Sequence, residues 1–264
     1  MEISQTKGKI QINQNLYKST ISPIEISKSR ALRKDDELSK EEKKEMRRLS
    51  GQMNWVASQT RPDVSYDVCR ISNIGKHPKV KMLIEANKSL TKLKSKDITI
   101  SFSNIGNPED LTVTCFCDAS YASLEDGSSH GGFIIFVEGS RGVAPISWQS
   151  KKLDRVTKSP IASECLSLSE AADAGFLIAV LLQEVFQLQK IPTVNVKTDN
   201  FSLVDTLNSD NLVKDRRLRV DIARIKEMIV LNEINVSWVK GCDQISDCLT
   251  KSGASTQSLL DILN

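Results

Sequence analysis

The sequence predicts an α/β domain with a mixed five-stranded sheet, preceded by a mostly helical and basic segment. Residues 1 to 100 contain 21 Lys and Arg against 12 Asp and Glu, whereas the remaining residues contain 15 against 21. The hydrophobic pattern changes at the same place, from a helical spacing to alternating, β-like runs. A basic half is typical of a nucleic-acid contact, although a solvated surface explains it equally well.

The helical segment begins with a strong start signal. From Ser39, a serine and early glutamates precede apolar residues spaced three or four apart, which predicts a helix that ends before Pro62. Two more helical segments are expected, at residues 64–75 and, after Pro78, at residues 79–96. With the short β-like runs at the N-terminus, these form a first predicted region, residues 1–105.

The second predicted region, residues 106–252, begins with three strands. The runs LTVTCFCD, FIIFVEG and VAPISWQS are joined by Gly- and Ser-rich turns and predict an antiparallel meander. A long helix should follow from Pro160, then the strand TVNVKTD, two helices, the strand INVSWVK and a helical turn at ISDCLTK. The element order is therefore βββαβααβα, and residues 253–264 are assigned to a C-terminal tail.

Composition excludes several classes of protein. No run approaches about 18 consecutive apolar residues, and the N-terminus lacks a hydrophobic signal segment, so we expect an intracellular protein without membrane contact. The six cysteines are irregularly spaced and contain no CxxC pair, which argues against a disulfide framework and a zinc site. The two histidines, His77 and His130, each lie beside Pro or Gly, a setting in which either could be a surface loop residue.

Three acidic residues fall where packing does not explain a charge. Asp118 ends the first strand of the meander, and Glu164 lies one turn into the long helix, on its apolar face. Asp247 stands beside apolar neighbours at the start of the last helical turn. A charge among apolar residues needs a partner or a metal ion.

A fourth acid, Asp199, follows the strand TVNVKT and precedes a helix, where a helix N-cap is the ordinary explanation. The same explanation covers Asp247. The topology, however, can bring all four carboxylates to one sheet edge, where each pair would repel by about 4 kcal/mol at 4 Å in an effective dielectric near 20. Because a domain is stable by only about 5 to 15 kcal/mol, divalent cations are expected there.

The segments CFCDASY, ASECLSLSEA, VKTDN and ISDCLTK, in this order, resemble the ribonuclease H domain that ends the reverse transcriptase of copia-type LTR retrotransposons. The stretch GQMNWVASQTRPDVSYDV looks like the segment that joins the polymerase thumb to that domain, and RRLRVDIARIKEM is similar to the family's late helix. The resemblance covers about Gly51 to Ser252. The TRPD and SDxLTK signatures are specific when they occur together.

The resemblance implies a ribonuclease H-like fold that follows a remnant of the thumb and connection of a reverse transcriptase. It implies a metal-dependent endonuclease that hydrolyses the RNA strand of RNA/DNA hybrids, with two Mg²⁺ ions, or Mn²⁺ in their place. The implied catalytic and metal-binding residues are Asp118, Glu164, Asp199 and Asp247. Candidate nucleic-acid contacts, each explained equally well as solvated surface charge, are Lys151, Lys152, Lys158, Arg216, Arg217 and Arg219.

Two features depart from the wider pattern of such enzymes. No histidine follows residue 130, whereas many cellular ribonucleases H carry a mobile histidine near the fourth carboxylate, so slow turnover is expected. The paired-aspartate YxDD loop of a polymerase palm is absent, so an upstream polymerase domain of the same polyprotein is the expected partner. The cytoplasm, a virus-like particle or the nucleus is the expected location. Two alternatives remain open, a catalytically silent nucleic-acid-binding remnant and a purely structural connection module.

Overall fold

The structure is a computed structural model that describes residues 1–73, 75, 77–210 and 213–263. The chain divides into two compact units, Met1–Ser101 with the C-terminal end from Leu263, and Phe102–Ile262. This division falls a few residues before the predicted one after residue 105. The end of the second predicted helix reaches Ile74, and the predicted tail reaches Asn264; both residues lie outside the described part of the chain.

The first unit is built mainly from helices. Its elements are the strands β1 (Glu2–Thr6) and β2 (Lys9–Asn13), the start of β3 (Ile100–Ser103), and the helices α1 (Asn15–Thr20), α2 (Lys28–Leu32), α3 (Lys40–Gln59), α4 (Ser65–Ser72) and α5 (Val80–Lys94). Helix α3 begins with a capping box, in which Ser39 and Glu42 each accept a hydrogen bond from the other's backbone N–H. Buried apolar faces of α3, α4 and α5 form the core of the unit, as the spacing of their apolar residues predicts.

The TRPD signature, residues 60–63, forms buried polar contacts between the end of α3 and the end of α5. Arg61 and Asp63 are 2% and 4% exposed and form a two-pronged ion pair, with both N–O distances 2.8 Å. The other guanidinium nitrogen of Arg61 donates to the carbonyl oxygens of Leu93 and Lys96, at 2.7 and 2.9 Å. Arginine suits this position because its planar fork satisfies a carboxylate and two helix-end carbonyls together.

Replacing Arg61 with Leu should destabilise the first unit by about 3 to 5 kcal/mol, because Asp63 would stay buried without its partner. The matched control is Arg33→Leu, whose ion pair with Asp36 is 3.7 Å long and exposed, and which should cost less than about 1 kcal/mol. Hydrogen-exchange mass spectrometry along a urea series measures both. Equal losses of stability in the two variants would show that the buried ion pair does not stabilise the first unit more than the exposed one.

The second unit contains the predicted mixed sheet. Its elements are β4 (Thr112–Ser120), β5 (His130–Gly139), β6 (Gly142–Lys152), α6 (Pro160–Phe186), β7 (Val194–Thr198), α7 (Phe201–Asn208), α8 (Arg216–Val230), β8 (Asn235–Trp238), a 3-10 turn (Ile245–Leu249) and α9 (Gln257–Leu263). The strand order is β6-β5-β4-β7-β8, antiparallel from β6 to β4 and parallel from β4 to β8. The predicted ribonuclease H-like fold is confirmed by this topology.

Helix α6 packs closely on the central strands. A Cβ atom on Gly175 would lie 2.5 Å from Sγ of Cys115 and 3.0 Å from Cγ1 of Val194, so only glycine allows this approach. Cys115 is buried in the core. In length and apolar content α6 also reaches the level of a membrane-spanning helix, which a count of consecutive apolar residues does not register.

Alanine at Gly175 should destabilise the second unit by about 1 to 3 kcal/mol, because the added methyl group would collide with the sheet. This is the reverse of the usual effect, since alanine normally favours a helix over glycine by about 1 kcal/mol. Gly51→Ala in α3, where nothing lies within 4 Å of the new Cβ, is the control that should stabilise. Thermal denaturation of each variant measures the two opposite shifts, and a stabilising Gly175→Ala would contradict the close approach.

Candidate metal centre

The site forms at the end of the central strand β4. Asp118 is 1% exposed and lies in a strand that is paired on one side with antiparallel β5 and, earlier along its length, with parallel β7. The Thr250 hydroxyl donates to Oδ2 of Asp118, and Nζ of Lys251 lies 3.3 Å from Oδ1. Both partners come from the segment after the 3-10 turn, more than a hundred residues away in the sequence.

Asp199 and Asp247 join Asp118 at this edge. Carboxylate oxygens of the three residues lie within 4.8 Å of one another. Asp199 follows β7, whose parallel pairing with β4 puts the ends of both strands at the same edge. The N-cap explanation for Asp199 is wrong, because Asn200 caps α7 by accepting from the Leu203 N–H at 2.9 Å. Asp247 lies inside its 3-10 turn, whose N-cap is Gln244, so capping does not explain it either.

Glu164, in the second turn of α6, is not one of the three acids within 4.8 Å of one another, but it lies near enough to feel the charges of Asp118 and Asp199. Its side chain is buried, and Oε2 has no hydrogen-bond partner among the residues that the structure describes. Burial, with the nearby charges of Asp118 and Asp199, raises its pKa to about 9, although a hydrogen bond from the Ala119 backbone acts in the opposite direction. Without a cation, Glu164 therefore keeps its proton at neutral pH.

The pKa values of Asp118 and Lys251 also show that negative charges lie close together at this site. Burial raises the pKa of Asp118, against the opposing effects of Lys251 and Thr250. Burial alone would lower the pKa of Lys251, but the charges of Asp118 and Asp247 raise it well above its usual range. Negative charge is thus concentrated at this edge beyond what one lysine neutralises.

The residues fit a divalent cation. All four acids offer only oxygen, which is the ligand type that Mg²⁺ and Mn²⁺ prefer. The unpartnered Oε2 of Glu164 is a second and independent sign, because a buried polar atom without a partner is rare in a folded protein. Asp118, Asp199 and Asp247 could hold the ion directly, with Glu164 beside them.

The stability of the metal-free protein should fall as pH rises from about 5 to 9. Unfolded Glu164 ionises near pH 4.3, whereas its folded pKa is about 9. Between these values only the folded state holds the proton, so the free energy of unfolding falls by at most about 1.4 kcal/mol per pH unit. Urea denaturation in EDTA measures this slope. Glu164→Gln should reduce it and the control Glu184→Gln, on the exposed face of α6, should not; an unchanged slope in Glu164→Gln would contradict the assignment.

The six predicted nucleic-acid contacts fall into two groups. Lys151 and Lys152 end β6 and are paired with acids, Lys151 with Asp154 and Glu170 and Lys152 with Asp126. The other four lie near the start of α8. There Lys158 is 3.7 Å from Asp215, the Nε of Arg219 donates to the Val213 carbonyl, and exposed side chains include Arg216 and Arg217. The side-chain partners described for the site carboxylates Asp118 and Asp247 are Thr250 and Lys251, and neither is one of these six residues.

Thr250 and Lys251 contact Asp118 and were not among the predicted site residues, although both belong to the SDxLTK signature. The surface-loop interpretation is wrong for His130, which is fully buried at the start of β5. The Ser150 hydroxyl donates to the Leu249 carbonyl at 2.6 Å, so Nε2 of His130 donates to Ser150 at 2.8 Å. This chain of bonds tethers the turn that carries Asp247. His77 is exposed and pairs with Glu37.

Comparison with curated proteins finds transposon relatives. The chain is 28% identical over 212 residues to the retrovirus-related Pol polyprotein from transposon RE1 of Arabidopsis thaliana, a match that covers 78% of this chain and 14% of the relative. It is 30% identical over 125 residues to the transposon Ty5-1 protein YCL074W of Saccharomyces cerevisiae, covering 46% and 38%. The resemblance to retrotransposon Pol polyproteins is confirmed. The chain spans well under two thirds of the length of these relatives.

Two further comparisons add less. No model of a known protein family matches the chain. Among solved structures, the chain is similar to the N-terminal RNase H domain of a Mycobacterium tuberculosis protein, with 17% identity and a TM-score of 0.39. That match covers 53% of this chain and 91% of the other.

Proposed function

We propose that this chain, as a relative of transposon Pol polyproteins, is a metal-dependent endonuclease that hydrolyses the RNA strand of RNA/DNA hybrids. It would be the ribonuclease H part of a retrotransposon reverse transcriptase. The observation that carries the proposal is the convergence of Asp118, Asp199 and Asp247 within 4.8 Å at one sheet edge, with buried Glu164 beside them. The kinship with Pol polyproteins supports it.

The four acids would hold the cations. Bound Mg²⁺, or Mn²⁺, would supply an activated water and charge stabilisation at the leaving 3′ oxygen. The Thr250 hydroxyl donates to Oδ2 of Asp118, so a cation would bind through Oδ1, the oxygen that Nζ of Lys251 approaches at 3.3 Å. Glu164 would have to give up its proton to serve as a ligand, because only the ionised carboxylate binds a metal strongly.

The substrate would be gripped by exposed basic residues and recognised in its minor groove. Arg216 and Arg217, exposed at the start of α8, are the most available of the six candidates, whereas Lys151 and Lys152 are held by acids. Contacts to 2′-hydroxyls would distinguish the RNA strand from the DNA strand. An upstream polymerase domain of the same polyprotein, in the cytoplasm, a virus-like particle or the nucleus, would deliver the hybrid.

Replacing Asp118 with Asn should abolish cleavage, lowering the rate by about 100-fold or more, because one carboxylate charge at the centre of the cluster is lost. The measurement is cleavage of a labelled RNA/DNA hybrid by the 264-residue chain in Mg²⁺, Mn²⁺ or EDTA. Asp243→Asn is the matched control, since Asp243 is exposed in the turn before Gln244 and should leave the rate unchanged.

The same assay separates the alternatives. Cleavage of single-stranded RNA or double-stranded DNA at the rate of the hybrid would contradict the substrate assignment. Hybrid binding without metal-dependent cleavage in any of the three conditions would favour a silent nucleic-acid-binding remnant. Equal cleavage by Asp118→Asn and the parent chain would place the chemistry elsewhere.

A further inference from the structure

A protein cation already lies inside the carboxylate cluster. The ammonium nitrogen of Lys251 is 3.3 Å from Oδ1 of Asp118 and 2.8 Å from Oδ1 of Asp247. These two acids belong to the group whose oxygens lie within 4.8 Å of one another. Lys251 therefore bridges two of the three carboxylates that would hold a divalent cation.

The Lys251 side chain can move out of the cluster into solvent. Its side chain is 41% exposed, whereas that of Asp118 is 1% exposed, so one end of the ion pair is anchored and the other reaches solvent. Lysine is a compact charge on a flexible four-carbon stem, and it makes no rigid fork with its partners. Asp118 keeps its orientation without Lys251, because Thr250 donates to its other oxygen.

The lysine and a divalent ion compete for the same oxygens. An oxygen that accepts from an ammonium offers that lone pair to no metal, and two cations within a few ångströms repel strongly where water is excluded. Without any cation, however, the carboxylates would repel one another. The cluster therefore needs positive charge at all times, from the protein or from an ion.

We propose that Lys251 is a resident counter-ion, which neutralises the cluster in the metal-free protein and withdraws into solvent when a divalent cation enters. This inference rests on the proposed function, because it requires the cluster to bind such an ion. The lysine keeps the metal-free domain folded and, in return, lowers its affinity for the metal.

The experiment compares Lys251→Met with the parent chain by calorimetric titration with MgCl₂ and by Mn²⁺ electron paramagnetic resonance. Lys251→Met should bind Mg²⁺ about tenfold more tightly, which corresponds to about 1.4 kcal/mol, and should melt at a lower temperature in EDTA. Lys251→Arg should restore the melting temperature in EDTA. Lys190→Met removes the same charge from an exposed position and should change neither quantity.

Each result decides the matter. Unchanged or weaker Mg²⁺ binding by Lys251→Met overturns the inference, even if the variant melts earlier, because a merely structural lysine would produce that pattern. If Lys251→Met does not fold in EDTA, Lys251→Gln, whose amide still donates to one carboxylate, carries the affinity measurement. Absence of Mg²⁺ binding by the parent chain counts against the proposed function. In that case, a gain of binding by the variant still supports the counter-ion, and no gain overturns both.

Discussion

Crowded negative charge at the end of β4 is the constraint on which the second unit depends. Asp118 is fixed in the central strand, and the fold brings Asp199, Asp247 and Glu164 to it. Like charges at such distances repel by an amount comparable with the stability of a domain. In the metal-free protein, the proton on Glu164 and the ammonium group of Lys251 reduce the net negative charge of the site.

Rigid packing holds this arrangement together. Gly175 lets α6 approach the sheet closely, which brings the first turns of the helix to the end of β4. There the Ser167 hydroxyl donates to the Asp118 carbonyl at 2.8 Å and ties helix and strand together. On the C-terminal side, Gln244 donates to the Cys117 carbonyl at 3.0 Å. The acids are thus positioned by backbone contacts, and their own charges are left for other partners.

The fold could be predicted from the sequence because alternating and helical apolar spacings are local signals. The site acids could also be predicted, because a charge such as Glu164 on an apolar helix face is recognisable within a short stretch of sequence. Local rules fail where a contact joins distant segments. Lys251 meets Asp118 across 133 positions, and buried His130 supports a turn more than a hundred residues later. Asp199 misleads for a different, local reason, because the adjacent residue Asn200 takes the capping role.

The buried pair of Arg61 and Asp63 gives the TRPD signature a structural explanation. An exposed arginine can contact a phosphate, but Arg61 is buried and donates to the Asp63 carboxylate and to the carbonyl oxygens of Leu93 and Lys96. Both charges of the pair are therefore satisfied inside the first unit, and the TRPD signature serves its stability and leaves no charge for a phosphate.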